Sequence, residues 1–444
     1  MSGPSAEVAA WTNWAGNQQA RPLRVERPRN TDDLARAITT AVRDGLPVKP
    51  IGAGHSFTSI GVTEGVQLDL ARCDRVVDVD RSTGLVTVQA GLPLHRLNAH
   101  LARHGLAMPN LGDNDRQTIA GALATGTHGT GARLGGLATA VHALQMITAD
   151  GELIGCSAQE RPDVFAAAQI GLGALGVVAA VTLQCVPAFL LHAAEEPMRL
   201  NEVLDRVDEL ADGNDHFEFY WFLHTTRTLT KRNNRVDSKI ERQPVGRLRS
   251  FVGDELIGNG LFEVVNRLGA RQRRLTPRSN AIAARAVAAR EYVDNSARVF
   301  VSPRRVRFRE MEYAIPRERL VAALRAVQSW VDAGNDTVGF PVQVRFAAAD
   351  DIWLSTGYDR ANAYIAVRQY HRIDPRAYFA AVEAIMNEHE GRPHWGTLHS
   401  QHADTLRPRY PRFDDFLAVR RALDPEGVFG NDYLDTVLGP AGTT

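Results

Sequence analysis

Pro50-Ile51-Gly52-Ala53-Gly54-His55-Ser56-Phe57-Thr58 and Gln117-Thr118-Ile119-Ala120-Gly121-Ala122-Leu123-Ala124-Thr125-Gly126-Thr127-His128-Gly129-Thr130-Gly131 are the two stretches whose reading decides the fold. The first follows an apolar strand-like run, so its backbone N–H groups can point at a phosphate or a ring oxygen. The second consists almost wholly of small residues, with hydroxyls alternating with glycines, and lets the backbone approach a large polar ligand closely. A lone loop histidine such as His55 is ordinarily a surface residue, and a glycine run is ordinarily a string of turns. Taken together, the two stretches describe a domain that wraps a large phosphate-bearing ligand in backbone.

A third segment, Gly171-Leu172-Gly173-Ala174-Leu175-Gly176, has the G-x-G-x-x-G spacing of a dinucleotide loop. That loop requires a strand before it and a helix after it, so that the helix N-terminus meets the pyrophosphate. Here a helical pattern (Val164–Ala168) precedes it and a strand pattern (Val177–Leu183) follows. The order excludes a nicotinamide site of the Rossmann type and leaves a packing or ligand-approach role for these glycines.

Outward from these segments, the chain up to about Pro187 alternates strands and helices. Thr31, followed by Asp32 and Asp33, opens a helix with Leu34, Ile38 and Val42 at helical spacing, and Pro47–Ile51 is the next strand. Beyond Pro187 the texture changes to longer strands of antiparallel type, with helices predicted over Pro316–Val331 and Pro375–Asn387. Strands carrying helices on one face predict an α+β layer. Lys231–Pro277 is charged and irregular and is expected to form a mobile excursion, and the end of the chain is expected to hold one helix, Phe413–Leu423, and a short tail.

The 444 residues suit two or three domains. The formal net charge is zero, which argues against nucleic acid or an anionic membrane as a partner. No run of about 18 apolar residues occurs, so no membrane span is expected. The N-terminus lacks the basic and apolar regions of a signal peptide, so a cytoplasmic location is expected. Cys73, Cys156 and Cys185 stand far apart and read as buried thiols. No metal is expected, because His394, His399 and His402 have no carboxylate or cysteine at ligand spacing.

Gly52-x-Gly54-His55-Ser56, Gln117-Thr118-Ile119-x-Gly121 and Thr125-Gly126-Thr127-His128-Gly129-Thr130-Gly131 together resemble the vanillyl-alcohol-oxidase (PCMH-type FAD-binding) flavoprotein superfamily. More narrowly, the chain resembles the sugar-1,4-lactone oxidases and dehydrogenases (gulono-, galactono- and arabinono-lactone), with alditol oxidases as near relatives. Met311-Glu312-Tyr313-x-Ile315-Pro316, Asp350-Asp351-x-Trp353-Leu354-Ser355, Pro393-His394-Trp395-Gly396 and Phe429-x-Asn431-x-Tyr433-Leu434 agree with it. The resemblance implies an FAD-binding domain of two α/β subdomains (15–187), a cap domain with an antiparallel sheet flanked by helices (188–394), and a C-terminal segment (395–444) that returns to the flavin domain.

The resemblance also implies roles for individual residues. His55 would bond the flavin 8α-methyl. Gly52, Ala53, Gly54 and Ser56 would contact the FAD pyrophosphate, and Thr118, Gly121, Thr125, Gly126, His128 and Gly129 would line the flavin and its phosphates. Gly176 and Val177 would approach the adenosine. The implied reaction is hydride transfer from a carbinol of a sugar lactone or polyol to flavin N5, with O₂ or another acceptor reoxidising the flavin.

Relatives carry Glu-x-Arg on a cap strand where this chain has Gln343-Val344-Arg345, and often a lysine where it has Thr397. Arg345 can polarise a substrate oxygen, whereas Gln343 cannot accept a proton as a carboxylate does. The proton acceptor therefore stays open between His399, His371, water, and Glu310 or Glu312 on a differently aligned strand. A slower enzyme, or a flavin binder without turnover, is a further reading.

Overall fold

The computed structural model describes residues 10–237, 240–244, 276–302, 306–334 and 338–441. Its first part is built mainly on two sheets, beside two short two-stranded ones. Strands β1 (Arg24–Glu26), β2 (Val48–Ile51) and β3 (Val66–Asp69) form a parallel sheet in the order β1-β3-β2. The helix Thr31–Arg43 makes the crossover. It starts because the Asn30 side chain accepts a hydrogen bond from the Asp33 N–H, with Asp32 and Asp33 in the first turn, and it buries Leu34, Ile38 and Ala41. Strands β4 (Val76–Asp80), β5 (Leu85–Gln89), β6 (Val141–Ile147), β7 (Leu153–Ser157) and β8 (Val177–Gln184) form an antiparallel sheet in the order β7-β6-β8-β5-β4.

The second part is built on one eight-stranded antiparallel sheet. Its strands are β9 (Leu190–Arg199), β10 (His216–Trp221), β11 (Arg227–Val236), β12 (Arg290–Asn295), β13 (Phe308–Pro316), β14 (Val342–Ala347), β15 (Asn362–Tyr370) and β16 (Arg392–Pro393), in the order β12-β9-β11-β10-β14-β15-β13-β16. The two faces differ sharply. Phe217, Phe219, Trp221, Val342, Val344, Phe346, Ile365, Val367, Met311 and Tyr313 form one face and share a core with the helices Leu200–Asp205, Val207–Asp212, Leu320–Asp332 and Arg376–Glu388. Each large apolar side chain buried there contributes about 1.5–3 kcal/mol. The other face, at the alternate positions, is polar.

Two expectations need correction. Lys231–Val236 is no excursion: it belongs to β11, paired along its length with β9 and, over residues 228–233, with β10. Residues 238–239 and 245–275 lie outside the described residues, and 276–286 is helical. The C-terminal tail is not bare either. Asp432–Leu438 is a helix, capped by the Asn431 side chain, which buries Leu434, Val437 and Leu438 in the same core as Leu97 and Val181. No described helix is long and apolar enough to cross a membrane. All three cysteines are buried and unbridged.

Candidate functional site

A long cleft runs through the first part, enclosing about 1210 Å³ with its open mouth included. Gly52, Ala53, Gly54, His55 and Ser56 form one wall, Thr118, Gly121 and Thr125 a second, and Gly171, Gly173 and Gly176 a third. The first two glycine segments meet physically, since a Cβ on Gly52 would stand 2.2 Å from Thr118 Oγ1; the third abuts β6, where a Cβ on Gly176 would stand 2.7 Å from the Ile147 carbonyl. Gly54 (φ +66°) and Gly176 (φ +147°) occupy backbone conformations that other residues rarely adopt. No Asp or Glu stands among the described residues of the lining, and Lys49 brings an amino group to it. Such walls fit a long, thin, phosphate-bearing molecule such as FAD.

The loop that carries His55 is gripped from the N-terminal side. The Trp14 N–H donates to the Gly54 carbonyl (2.9 Å), Asn13 Nδ2 to that of Ser56 (3.0 Å) and Asn17 Nδ2 to that of Phe57 (2.8 Å). The Trp14 ring lies 5.8 Å from the His55 ring. Lys49 is fully buried, with Nζ donating to the carbonyls of Phe429 (2.9 Å) and Gly173 (3.3 Å). Burial, reinforced by Arg420, pushes its pKa down to about 7.

Over the cleft domain, the cap sheet turns its polar face to the segment 110–136. Gly131 N–H donates to the Phe346 carbonyl (2.8 Å), and His216 Nδ1 lies 2.8 Å from the Thr130 carbonyl. Arg345 stands at the seam, its Nε donating to Glu218 Oε2 (2.8 Å) on β10 and its Nη2 lying 3.3 Å from Asp113 of the cleft domain. Gln343 Nε2 donates to the same Glu218 oxygen (2.8 Å) and to the Tyr220 hydroxyl (2.7 Å), while its Oε1 accepts from Arg368. Arg368 Nε in turn holds Glu310 Oε1 (2.6 Å).

The charge ladder continues through Lys231–Glu195 (3.6 Å) to Arg290 (2.7 Å). Alternating signs neutralise one another, which is what makes so many buried charges tolerable. Burial alone would raise the pKa of Glu218, but Arg345 and Lys231 outweigh it and hold it below the ordinary value.

Several predicted site residues sit elsewhere. His128 does not line the cleft: its ring stacks on Tyr364 (3.6 Å between centroids), and its Nε2 lies 3.3 Å from Glu312. Burial would raise the Glu312 pKa, but His128 overrides it and holds the carboxyl well down, which makes Glu312 a poor proton acceptor. Gly129 is packed against Asn110 and Leu111, and Gly126 against Ile170. Val177 points into the core, and Val178 lines the cleft in its place.

His399 Nε2 bonds the Tyr433 hydroxyl (3.0 Å) and its Nδ1 accepts from the Gln401 N–H (3.2 Å). Burial holds its pKa down to about 4. Those bonds run to the C-terminal segment and not to the Arg345–Gln343 group. Thr397 Oγ1 accepts from the Glu312 N–H and donates to the His394 carbonyl, and His371 packs on Tyr370 just past β15. Glu218, Tyr220, Asp113 and Arg368 were missed by sequence reasoning. One signal existed: Glu218 is the carboxylate at the polar parity of an otherwise aromatic strand.

This architecture, a backbone-walled cleft beneath an antiparallel cap, is that of a flavin-dependent oxidoreductase. Cholesterol oxidase of Brevibacterium sterolicum superimposes with a TM-score of 0.81 over 97% of this chain and 96% of that one, at 17% identity, and so shares the fold. Residues 22–157 match an FAD-binding domain. Residues 181–437 match the D-arabinono-1,4-lactone oxidase family. The chain is 44% identical over 97% of its length to the L-gulono-1,4-lactone dehydrogenase of Mycobacterium tuberculosis, 99% of which is covered. It is 34% identical over 96% to the L-gulonolactone oxidase of Mus musculus, 97% of which is covered. The chain belongs to the D-arabinono-1,4-lactone oxidase family of FAD-dependent oxidoreductases.

Proposed function

We propose that the protein oxidises a hydroxyl-bearing carbon of an aldono-1,4-lactone of the gulono or arabinono type, using FAD bonded covalently through His55. The observation that carries the substrate class is the similarity over nearly the whole chain, cap included, to relatives named for lactone oxidation. A polyol substrate or a protein without turnover is not favoured by it.

Bound FAD would supply the acceptor for the hydride that leaves the substrate carbon, and the hydroxyl proton would leave to solvent water. The chain's residues bind, orient and screen. Arg345 offers fixed N–H donors to the substrate oxygen as it gains negative charge, in a seam where buried carboxylates keep its direction constant. Gln343 offers a hydrogen bond beside it and accepts no proton. We assign the cofactor-binding role to Gly52, Ala53, Gly54, Ser56, Thr118, Gly121, Thr125 and Gly176, and the division of the chain to 15–187, 188–394 and 395–444.

Two measurements test this reading. Anaerobic mixing with L-gulono-1,4-lactone is expected to bleach the flavin absorbance, with D-sorbitol leaving it intact; the reverse pattern would replace the lactone by a polyol. Acid precipitation is expected to leave the yellow colour in the pellet, and His55→Ala to release it to the supernatant. Colour released from the wild-type pellet would remove the covalent bond and leave the FAD site standing.

A further inference from the structure

We propose that Glu218 is the carboxylate of the substrate site: a positioning residue on β10 that fixes both Gln343 and Arg345 of β14. The inference rests on the lactone-oxidising reading above and says how its site is held in register.

The argument begins with the cost of a charge. Strand β10 is otherwise built to bury aromatics, and Glu218 is 9% exposed. An ionised carboxylate withdrawn from water is costly unless charged and hydrogen-bonding partners surround it. Glu218 has them: Oε2 accepts from Arg345 Nε and Gln343 Nε2, each at 2.8 Å, and Oε1 lies 3.3 Å from the Tyr220 hydroxyl. A pairing made only for stability could have been replaced by apolar side chains of similar shape at no loss.

The amide of Gln343 is then fixed. An amide has a donor end and an acceptor end, and its orientation is read from the groups around it. Here the NH₂ faces a carboxylate and a hydroxyl, and the carbonyl faces the Arg368 guanidinium. Turning the amide over would set oxygen against carboxylate and NH₂ against guanidinium. A glutamate at 343 would bring a second carboxylate to within 2.8 Å of Glu218. Residue 343 is therefore an amide because residue 218 is an acid. Arg345 is gripped similarly, by Glu218 from the cap and by Asp113 from the cleft domain, so its planar guanidinium spans the seam at a set angle.

The test is an exchange. Glu218→Gln, Gln343→Glu and the double variant are made, and flavin content and melting temperature report folding. Two quantities are read anaerobically: the rate constant for flavin bleaching by L-gulono-1,4-lactone, and calorimetric binding of that lactone to enzyme already reduced with dithionite. Each single change is expected to slow bleaching roughly 10²-fold, the scale for losing one oriented donor, with lactone affinity moving less than about 5-fold. In the double variant the atom at the Oε2 position cannot both accept from Arg345 Nε and donate to a carboxylate at 343, so it is expected to bleach no faster than Glu218→Gln.

Wild-type bleaching in Glu218→Gln would overturn the proposal, as would wild-type bleaching in a folded double variant. If Glu218→Gln does not fold, the double variant, which keeps the net charge, decides alone by the same criterion. Wild-type enzyme that no lactone bleaches is a separate result: it overturns the substrate reading, and this proposal with it, before any variant is compared.

Discussion

The cleft and the cap's polar face recognise their ligands by opposite means. The cleft is walled by Gly52–Ser56, Gly121 and Gly171–Gly176, where the useful feature is the absence of a side chain. The polar face is Glu218, Tyr220, Gln343, Arg345 and Arg368, met by Asp113 from the cleft domain, and nearly everything there depends on long side chains held end to end. Backbone presented by a local turn is encoded in a few consecutive residues. A side-chain row across a sheet is encoded one or two residues per strand, at positions more than a hundred residues apart for the Glu218–Gln343 and Glu218–Arg345 contacts. The two halves should therefore fail differently: the cleft on adding atoms, the polar face on removing them.

Removing Arg345 gives the largest expected effect. Arg345→Met keeps the stem and deletes the guanidinium, leaving Glu218 and Asp113 as facing carboxylates without their shared partner. Loss of the oxyanion donor predicts a fall of about 10²–10³ in the bleaching rate constant. The stranded carboxylates should also lower stability by about 3–5 kcal/mol. FAD content, set by the other half, should hold. Stopped-flow bleaching and the ratio of flavin to protein absorbance check both halves; parallel loss of flavin would mean that the halves are not separable.

Adding one carbon in the cleft is the next effect down. Gly176→Ala places a Cβ 2.7 Å from the Ile147 carbonyl at φ +147°. Strain of about 1–3 kcal/mol should appear as lower melting temperature and lower flavin content. Bleaching per bound flavin should stay near wild type, because the polar face is untouched. Full flavin content at an unchanged melting temperature would show that this wall yields, and that the cleft is less dependent on bare backbone than its glycines suggest.

The same contrast explains what the sequence disclosed. The three glycine segments of the cleft were readable, and so was the rejection of a Rossmann site, because both rest on short-range order: the helix Pro162–Ala168 before Gly171 and β8 after Gly176. The run Phe217–Phe222 was readable as a strand of antiparallel type. What it faced was not, since Glu218 meets Arg345 through a pairing set by the sheet order. Strand β11 escaped notice because Lys231-Arg232-Asn233-Asn234-Arg235 has no apolar alternation; cross-strand pairs such as Glu195 with Lys231 hold it instead. The helix Asp432–Leu438 is seven residues long, below the length at which a periodic pattern is legible, and its stability comes from docking Leu434 and Val437. The role implied for His128 came from the resemblance; that its ring stacks on Tyr364 and meets Glu312 is set by tertiary pairing that no local pattern discloses.

Lys49 is the exception inside the cleft, a long side chain with an ionisable end among glycines. Its folded-state pKa is depressed from 10.5 to about 7, chiefly by burial. Below pH 7 folding must bury an ammonium that the unfolded chain keeps in water. Between pH 7 and 10.5 the folded chain holds the neutral amine while the unfolded chain is still protonated, so the unfolded state binds more protons and stability rises with pH across that window. Lys49→Met has no such titration. In flavin-free protein, the urea midpoint of wild type relative to Lys49→Met should therefore climb from pH 7 to 9.5, by at most about 1.4 kcal/mol per pH unit, the limit for one proton. With flavin bound, a phosphate close to Nζ would hold the proton and flatten that climb. A flat difference in both states would mean that the ammonium survives burial on the carbonyls of Phe429 and Gly173 alone; flattening only with flavin would make Lys49 the one place where the cleft reads its ligand by charge, as the polar face does.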